Sequence, residues 1–286
     1  MMNNEGTSNK SKINAPKISL PGGGGNIKGM GETFQPNSFS GTGSFSIPIN
    51  TSGARGLEPH ISLDYNSGFG NGIFGLGFDL NLPKIYRKTD KGIPGYNDTD
   101  RFLFSTTDEL IPEVVKKENG TYIKNEKQAT IGNATWNITS YRPRIEGLFA
   151  EIEYLVNTDT GESYWKIVTG DNITSLYGRS EDARVADPDD PTHVFEWFIE
   201  KTWDAHGNKI LYTYKREDGD GVQENIYEKN RTITAKRYIQ CIKYGNYLYD
   251  DGNNGRKEQY AFEIIFDYGG YSLTAEIATK MSFVES

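Results

Sequence analysis

Sulfur and imidazole are scarce in this 286-residue chain, which has one cysteine, Cys241, and three histidines, His60, His193 and His206. A lone thiol excludes an intramolecular disulfide and a cysteine-rich zinc site. With Ile239 and Ile242 beside it, Cys241 reads as a strand thiol that packs as a small hydrophobe, not as a nucleophile. The histidines are widely spaced and accompany no nucleophile turn, so a hydrolytic triad is not expected. No stretch approaches the roughly 18–20 apolar residues of a spanning helix. The opening Met1–Lys10 carries no apolar segment of a secretory signal, so the chain is expected to be made in the cytoplasm. Basic charge is also short: 31 Lys and Arg against 39 Asp and Glu leave a net charge of −8, which disfavours nucleic acid as a partner.

Glycine and tyrosine are plentiful, at 32 and 18 residues, alongside many Thr, Asn, Ile and Phe. That composition suits turns and strands, and the expected class is all-β with antiparallel, glycine- and tyrosine-rich sheets. Period-two alternation places strands at 44–49, 60–65, 78–86, 101–105, 121–123, 138–141, 149–156, 163–168 and 173–177. Further strands fall at 194–203, 209–215, 238–244 and 260–268, with a last run at 272–283. Asn157-Thr-Asp-Thr-Gly161 reads as a hairpin tip, and the one helical turn expected lies around Asp182–Ala186. Residues 1–17 are polar and aperiodic and read as a disordered tail. The β module then runs from 18 to 286, with a possible subdivision near 116–120. With no closing element after residue 286, the module is expected to present an open sheet edge and to depend on a partner.

Two motifs stand out. The first is Gly41-Thr-Gly-Ser-Phe-Ser-Ile-Pro-Ile-Asn50 with Pro59–Gly68 and Gly72-Ile-Phe-Gly-Leu-Gly77, in which short strands are punctuated by Gly41, Gly43, Gly68, Gly72, Gly75 and Gly77 around Tyr65. Glycine inside such strands marks a bend or a close backbone approach. The second is Trp203-Asp-Ala-His-Gly-Asn-Lys-Ile-Leu-Tyr-Thr-Tyr214, where Gly207-Asn208 suits a tight hairpin turn. Ile210, Tyr212 and Tyr214 then share one strand face, and Lys209, Leu211 and Thr213 the other.

The first motif, with Ser19–Glu32 before it, resembles the N-terminal domain of SpvB-type virulence proteins and of the B components of bacterial insecticidal toxin complexes. The second resembles the Asp-x-x-Gly-Asn-x-x-x-Tyr-x-Tyr unit of RHS/YD-repeat families, on Asp204, Gly207, Asn208, Tyr212 and Tyr214. The resemblance implies a non-enzymatic part of a shell that encapsulates or delivers a toxic effector. Its partners would be RHS-repeat or toxin-complex components and the effector cargo, and it would leave the cell without a classical signal peptide. An adhesion or glycan-binding β-sandwich is the alternative, since Tyr and Trp offer stacking platforms.

Some SpvB-type proteins carry an ADP-ribosyltransferase domain built on an Arg, a Ser-Thr-Ser strand and a Glu-x-Glu pair. Here Arg55, Ser105-Thr-Thr107 and Glu151-Ile-Glu153 occur in that order, but Thr107 replaces a serine and Arg55 falls inside the glycine motif. Both glutamates are expected on a solvent face. Gly25–Gly31 lacks the strand, helix and lysine of a phosphate cradle, and Asp218-Gly-Asp-Gly221 lacks the ligands of a calcium loop. No catalytic residue, cofactor or metal is expected.

Overall fold

Alternating β-branched and aromatic residues force extended chain, and glycines and Asx turns reverse it, so the fold is a succession of hairpins. The computed structural model describes residues 33–36, 41–105, 108–145, 147, 149–218, 226–227, 232, 234–250 and 255–268. The tail at 1–17, the glycine-rich run at 21–31, residues 219–225 and the run at 272–283 lie outside them.

An N-terminal antiparallel sheet comprises β1 (Thr33–Pro36), β2 (Gly43–Ile49), β3 (Ile61–Asn66) and β6 (Phe78–Leu80), in that order. Between β3 and β6 sits a small hairpin, β4 (Asn71–Gly72) and β5 (Gly75–Leu76). The strand expected over 78–86 is two strands, because Pro83 lacks the amide a ladder needs. The second is β7 (Lys84–Arg87), which enters the main sheet.

That sheet closes on itself. It contains β8 (Phe102–Phe104), β9 (Asp108–Pro112), β13 (Ala134–Pro143), β14 (Glu151–Asn157), β15 (Ser163–Val168), β16 (Thr174–Tyr177) and β18 (Val194–Trp203). Neighbours pair antiparallel from β7 through β8, β9, β13, β14 and β15 to β16; β16 pairs with β18, and β18 returns to β7. The eight strands form a barrel. Appended to its wall are the hairpin β10 (Val114–Lys116) and β11 (Tyr122–Lys124), then β12 (Glu126–Ile131) on β13 and β17 (Arg184–Ala186) on β18. A 3-10 turn at Glu181–Ala183 is the expected helical element.

From the far half of β18 a ribbon departs: β19 (Lys209–Arg216), β20 (Arg237–Asp250) and β21 (Arg256–Ile265). Residues 116–120 form the turn region of the β10–β11 hairpin, and barrel strands lie on both sides of them in sequence.

The barrel interior is aromatic. Phe102, Tyr141, Tyr154, Trp165 and Trp197 converge there, with ring centroids 4.5 Å apart for Tyr154 and Trp165 and 5.0 Å for Phe102 and Trp165. Burying each large apolar side chain contributes roughly 1.5–3 kcal/mol. Arg87 is buried at this core. It donates to Asp100 at 2.6 Å and to the Val194 carbonyl at 2.7 Å, with Tyr96, Phe102 and Trp197 around its guanidinium. A smaller cluster of Trp136, Ile138, Leu155 and Tyr164 occupies the opposite face of β13, β14 and β15, where Arg179 lies over the rings of Trp136 and Tyr164.

Candidate functional site

The residues of the second motif form a clasp between barrel and ribbon. β18 and β19 are joined by Asp204–Asn208, five residues in place of the two-residue turn expected at Gly207-Asn208. The difference comes from Asp204. Its carboxylate accepts the backbone amides of His206 and Asn208, both at 2.9 Å, and the Asn208 side-chain amide at 2.7 Å. Burial opposes its charge, but these hydrogen bonds prevail and hold its pKa below the usual carboxylate value. Gly207, at φ +82°, turns the chain, and the buried Asn208 leads into β19.

Across from this loop, Asn246 of β20 accepts the Lys209 amide at 2.8 Å and donates to the Gly207 carbonyl at 3.0 Å. It also donates to Glu258 at 3.2 Å, and Glu258 pairs with Lys209 at 2.5 Å. Gly245-Asn246 therefore lies inside a strand and grips the first Gly-Asn from the side. Tyr212 is buried, which pushes its pKa up to about 12; Tyr214 stacks on Phe198 at 5.1 Å and donates to the Ile199 carbonyl at 2.6 Å. Ile210, Tyr212 and Tyr214 belong to the core side of β19, as their alternation implies.

The glycine motif organises the N-terminal sheet. Tyr65 stands between Phe45 and Phe78, at centroid distances of 5.0 Å to each. A Cβ on Gly77 would lie 2.6 Å from the Tyr65 ring, and one on Gly72 would lie 1.9 Å from the Phe78 carbonyl oxygen. Gly75 meets nothing within 4 Å but adopts φ +105°. A Cβ on Gly68 would sit 3.0 Å from Thr42, Gly43 accepts the Ser67 amide and donates its own to the Ser67 hydroxyl, and Gly41 precedes β2 at φ +70°. A groove of about 490 Å³ opens beside this sheet, lined in part by Ser46, Ser62, Asp64, Asp79, Asn81 and Lys84. Both serine hydroxyls donate to Asp64, at 2.5 and 2.8 Å.

The residues weighed for ADP-ribosyl transfer sit on separate elements. Arg55 donates to the Asn246 carbonyl at the ribbon, whereas Ser105 follows β8 and Thr107 lies outside the described residues. Glu151 is exposed, but Glu153 is buried, against the expectation of a solvent face. Lys127 at 2.7 Å and Lys166 at 3.1 Å surround its carboxylate. Sequence periodicity missed this because the two lysines arrive from β12 and β15. Cys241 is buried and donates to Glu263 at 3.0 Å; burial and that carboxylate push its thiol up to about 12, which keeps it protonated. His193 stacks on Tyr96 at 4.5 Å. Among the described residues no group of three or more His, Cys, Asp or Glu side chains is placed to hold a metal ion.

The family model described as "SpvB: Salmonella virulence plasmid 65kDa B protein" matches residues 37–282. The mono(ADP-ribosyl)transferase SpvB of Salmonella typhimurium (strain 14028s / SGSC 2262) is 31% identical over 247 residues, 84% of this chain and 42% of that protein. The chain thus spans about two fifths of the length of this curated relative. Among solved structures, the N-terminal domain of effector protein SpvB from Salmonella typhimurium strain LT2 is similar at TM-score 0.69 and 31% identity, over 81% of this chain and 74% of that one. TcdB2-TccC3 is similar at TM-score 0.74 and 32% identity, over 92% of this chain and 13% of that one. The Photorhabdus luminescens Tc holotoxin pore is similar at TM-score 0.74 and 32% identity, over 93% of this chain and 12% of that one.

Proposed function

Because the chain belongs to the SpvB family, we propose that it is a non-enzymatic structural module of a bacterial toxin complex, helping to build a shell that encapsulates or delivers a toxic effector. The observation that carries this reading is the pattern of coverage. The chain matches most of a solved SpvB N-terminal domain and a small share of TcdB2-TccC3, at TM-scores of 0.69 and 0.74. The scattered placement of Arg55, Ser105, Glu151 and Glu153 supports a part without its own transfer chemistry, since a reacting ribose needs its groups within hydrogen-bond reach of one another.

The module's contribution is geometric. The barrel supplies a rigid body, and the clasp at Asp204–Asn208 fixes the angle at which the ribbon leaves it. The ribbon then offers sheet to which RHS-type strands add. The partners are RHS-repeat or toxin-complex components with the effector as cargo, acting outside the cell of synthesis. Co-expression with an RHS-repeat component tests the reading. A stable stoichiometric complex with a closed shell in electron micrographs is expected. ADP-ribose transfer by the purified chain, lost on Glu151→Gln or Glu153→Gln, would overturn it.

A further inference from the structure

We propose that the groove beside the N-terminal sheet binds a neutral oligosaccharide, held by Asp64, Asp79 and the hydroxyls of Ser46 and Ser62 against the ring of Phe69. The inference goes beyond the shell reading and does not depend on it.

Alternation along β2, β3 and β6 gives this sheet two unlike faces. Phe45, Tyr65 and Phe78 stand opposite one another in register on one face and form its stack of rings. The next row, on the other face, is Ser46, Asp64 and Asp79. Ser62 shares that face, and Asn81 runs beside it, donating its amide to the Ser62 carbonyl at 2.9 Å. A polar sheet face turned to bulk water is exposed, but Ser46, Ser62, Asp64 and Asp79 are each half-buried. The start of the barrel supplies a wall, since Leu82, Lys84 and Ser105 line the same groove. Phe69, 45% exposed, lines it too. The volume of about 490 Å³ falls among those of small-molecule sites and is ample for a short oligosaccharide.

The chemistry of the lining selects the ligand. Like charges directly opposite each other weaken a sheet, so the Asp64–Asp79 pair carries a cost that a ligand donating to both carboxylates offsets. Asp64 accepts both serine hydroxyls on one oxygen, Oδ1, at 2.5 and 2.8 Å, and Asp79 accepts the Leu80 amide on its Oδ1 at 2.9 Å. A carboxylate has about four lone-pair sites, so each retains acceptor capacity toward the groove. Asn81 and Lys84, the latter paired with Glu196 at 3.2 Å, add donors to the same lining. A sugar hydroxyl both donates and accepts and is served by this mixture, whereas a lysine or arginine of a protein partner only donates and meets Lys84 as a like charge. The Phe69 ring offers an apolar surface to the C–H face of a sugar. The two carboxylates repel sialylated or sulfated chains, which makes the site selective for neutral ones.

An array of neutral, sialylated and sulfated oligosaccharides probed with the full chain tests the proposal, followed by calorimetric titration of the strongest neutral binder. Neutral glycans should be retained and acidic ones should not. Asp79→Asn removes the like-charge pair, so it should lower affinity at least about tenfold while the melting temperature stays level or rises. Phe69→Ala should weaken binding by a similar factor, and Asp98→Asn, on an exposed loop outside the groove, should leave it unchanged. An array without a neutral binder, a preference for acidic glycans, or affinity unchanged in Asp79→Asn or in Phe69→Ala would overturn the proposal. A melting temperature that fell with affinity in Asp79→Asn would do the same, by making Asp79 a structural residue. Tighter binding of a penta-lysine peptide, lost in Asp79→Asn, would assign the groove to a basic protein segment instead.

Discussion

At Gly72 and Gly77 a side chain would strike backbone or ring, whereas at Gly75 it would meet open space in a backbone conformation that L-residues avoid. The close approach expected of this motif thus falls at Gly72 and Gly77, three residues before and two after its central glycine. Gly72→Ala must push the Phe78 carbonyl away and should cost about 1–3 kcal/mol or more, as overpacking does. Gly75→Ala incurs only the left-handed backbone penalty of roughly 1–2 kcal/mol. Urea denaturation should rank Gly72→Ala as the more destabilising; the reverse order would show that conformation outweighs collision here. Glu153 gives a pH prediction. Burial raises its pKa, but hydrogen bonds from Lys127 and Lys166 prevail and hold it below the ordinary value of 4.5. A carboxylate depressed on folding stabilises fully above its unfolded pKa, and that contribution is lost as pH falls through the lower folded value. The acid limb of a stability curve below about pH 4.5 should accordingly be shallower in Glu153→Gln, which should cost about 1.5–3 kcal/mol at neutral pH.

Most elements were legible because a half-buried strand shows alternation. The span 163–168 matches β15 and 194–203 matches β18, where tryptophans recur at buried positions. β12 was not legible: Glu126-Lys-Gln-Ala-Thr-Ile131 is mostly exposed and carries no apolar period. Nor was the reach of β20 through Gly245-Asn246, a pair that signals a turn in sequence but whose asparagine is held in the strand by Gly207 and Lys209, 37 to 39 positions away. The clasp was half legible, since Asp204, Gly207 and Asn208 were evident in the motif, whereas the grip of Asn246 comes from β20, far away in sequence. Asp204→Ala should leave the buried Asn208 amide without its acceptor and cost about 1–3 kcal/mol. Asn246→Ala should couple to it, so that the double mutant loses less than the sum. Strict additivity in denaturant titrations would mean that the two ends of the clasp act independently.

Across the whole molecule, closure of the barrel through β16 and β18 could not be read from local pattern, because it joins strands about 25 residues apart whose register is irregular at Leu176/Tyr177. Its consequence is cooperativity. One buried cluster runs from Ala54, Leu57, Ile61 and Leu80 near the N-terminal sheet through Ile85, Trp165 and Trp197 of the barrel to Ile242 and Tyr244 of the ribbon. The Ser52 amide donates to the Tyr244 hydroxyl at 3.1 Å, tying the sheet's connecting loop to the ribbon as well. All four tryptophans, at 136, 165, 197 and 203, lie on barrel strands, so their fluorescence reports the barrel alone, while far-ultraviolet circular dichroism reports every sheet. If the shared core governs, the two probes should trace one urea transition. Trp197→Ala should remove about 3–5 kcal/mol and shift both curves together. Dichroism that fell before tryptophan emission changed would mean that the N-terminal sheet or the ribbon unfolds on its own. A module with so loose an arm could not fix the direction in which a shell wall continues.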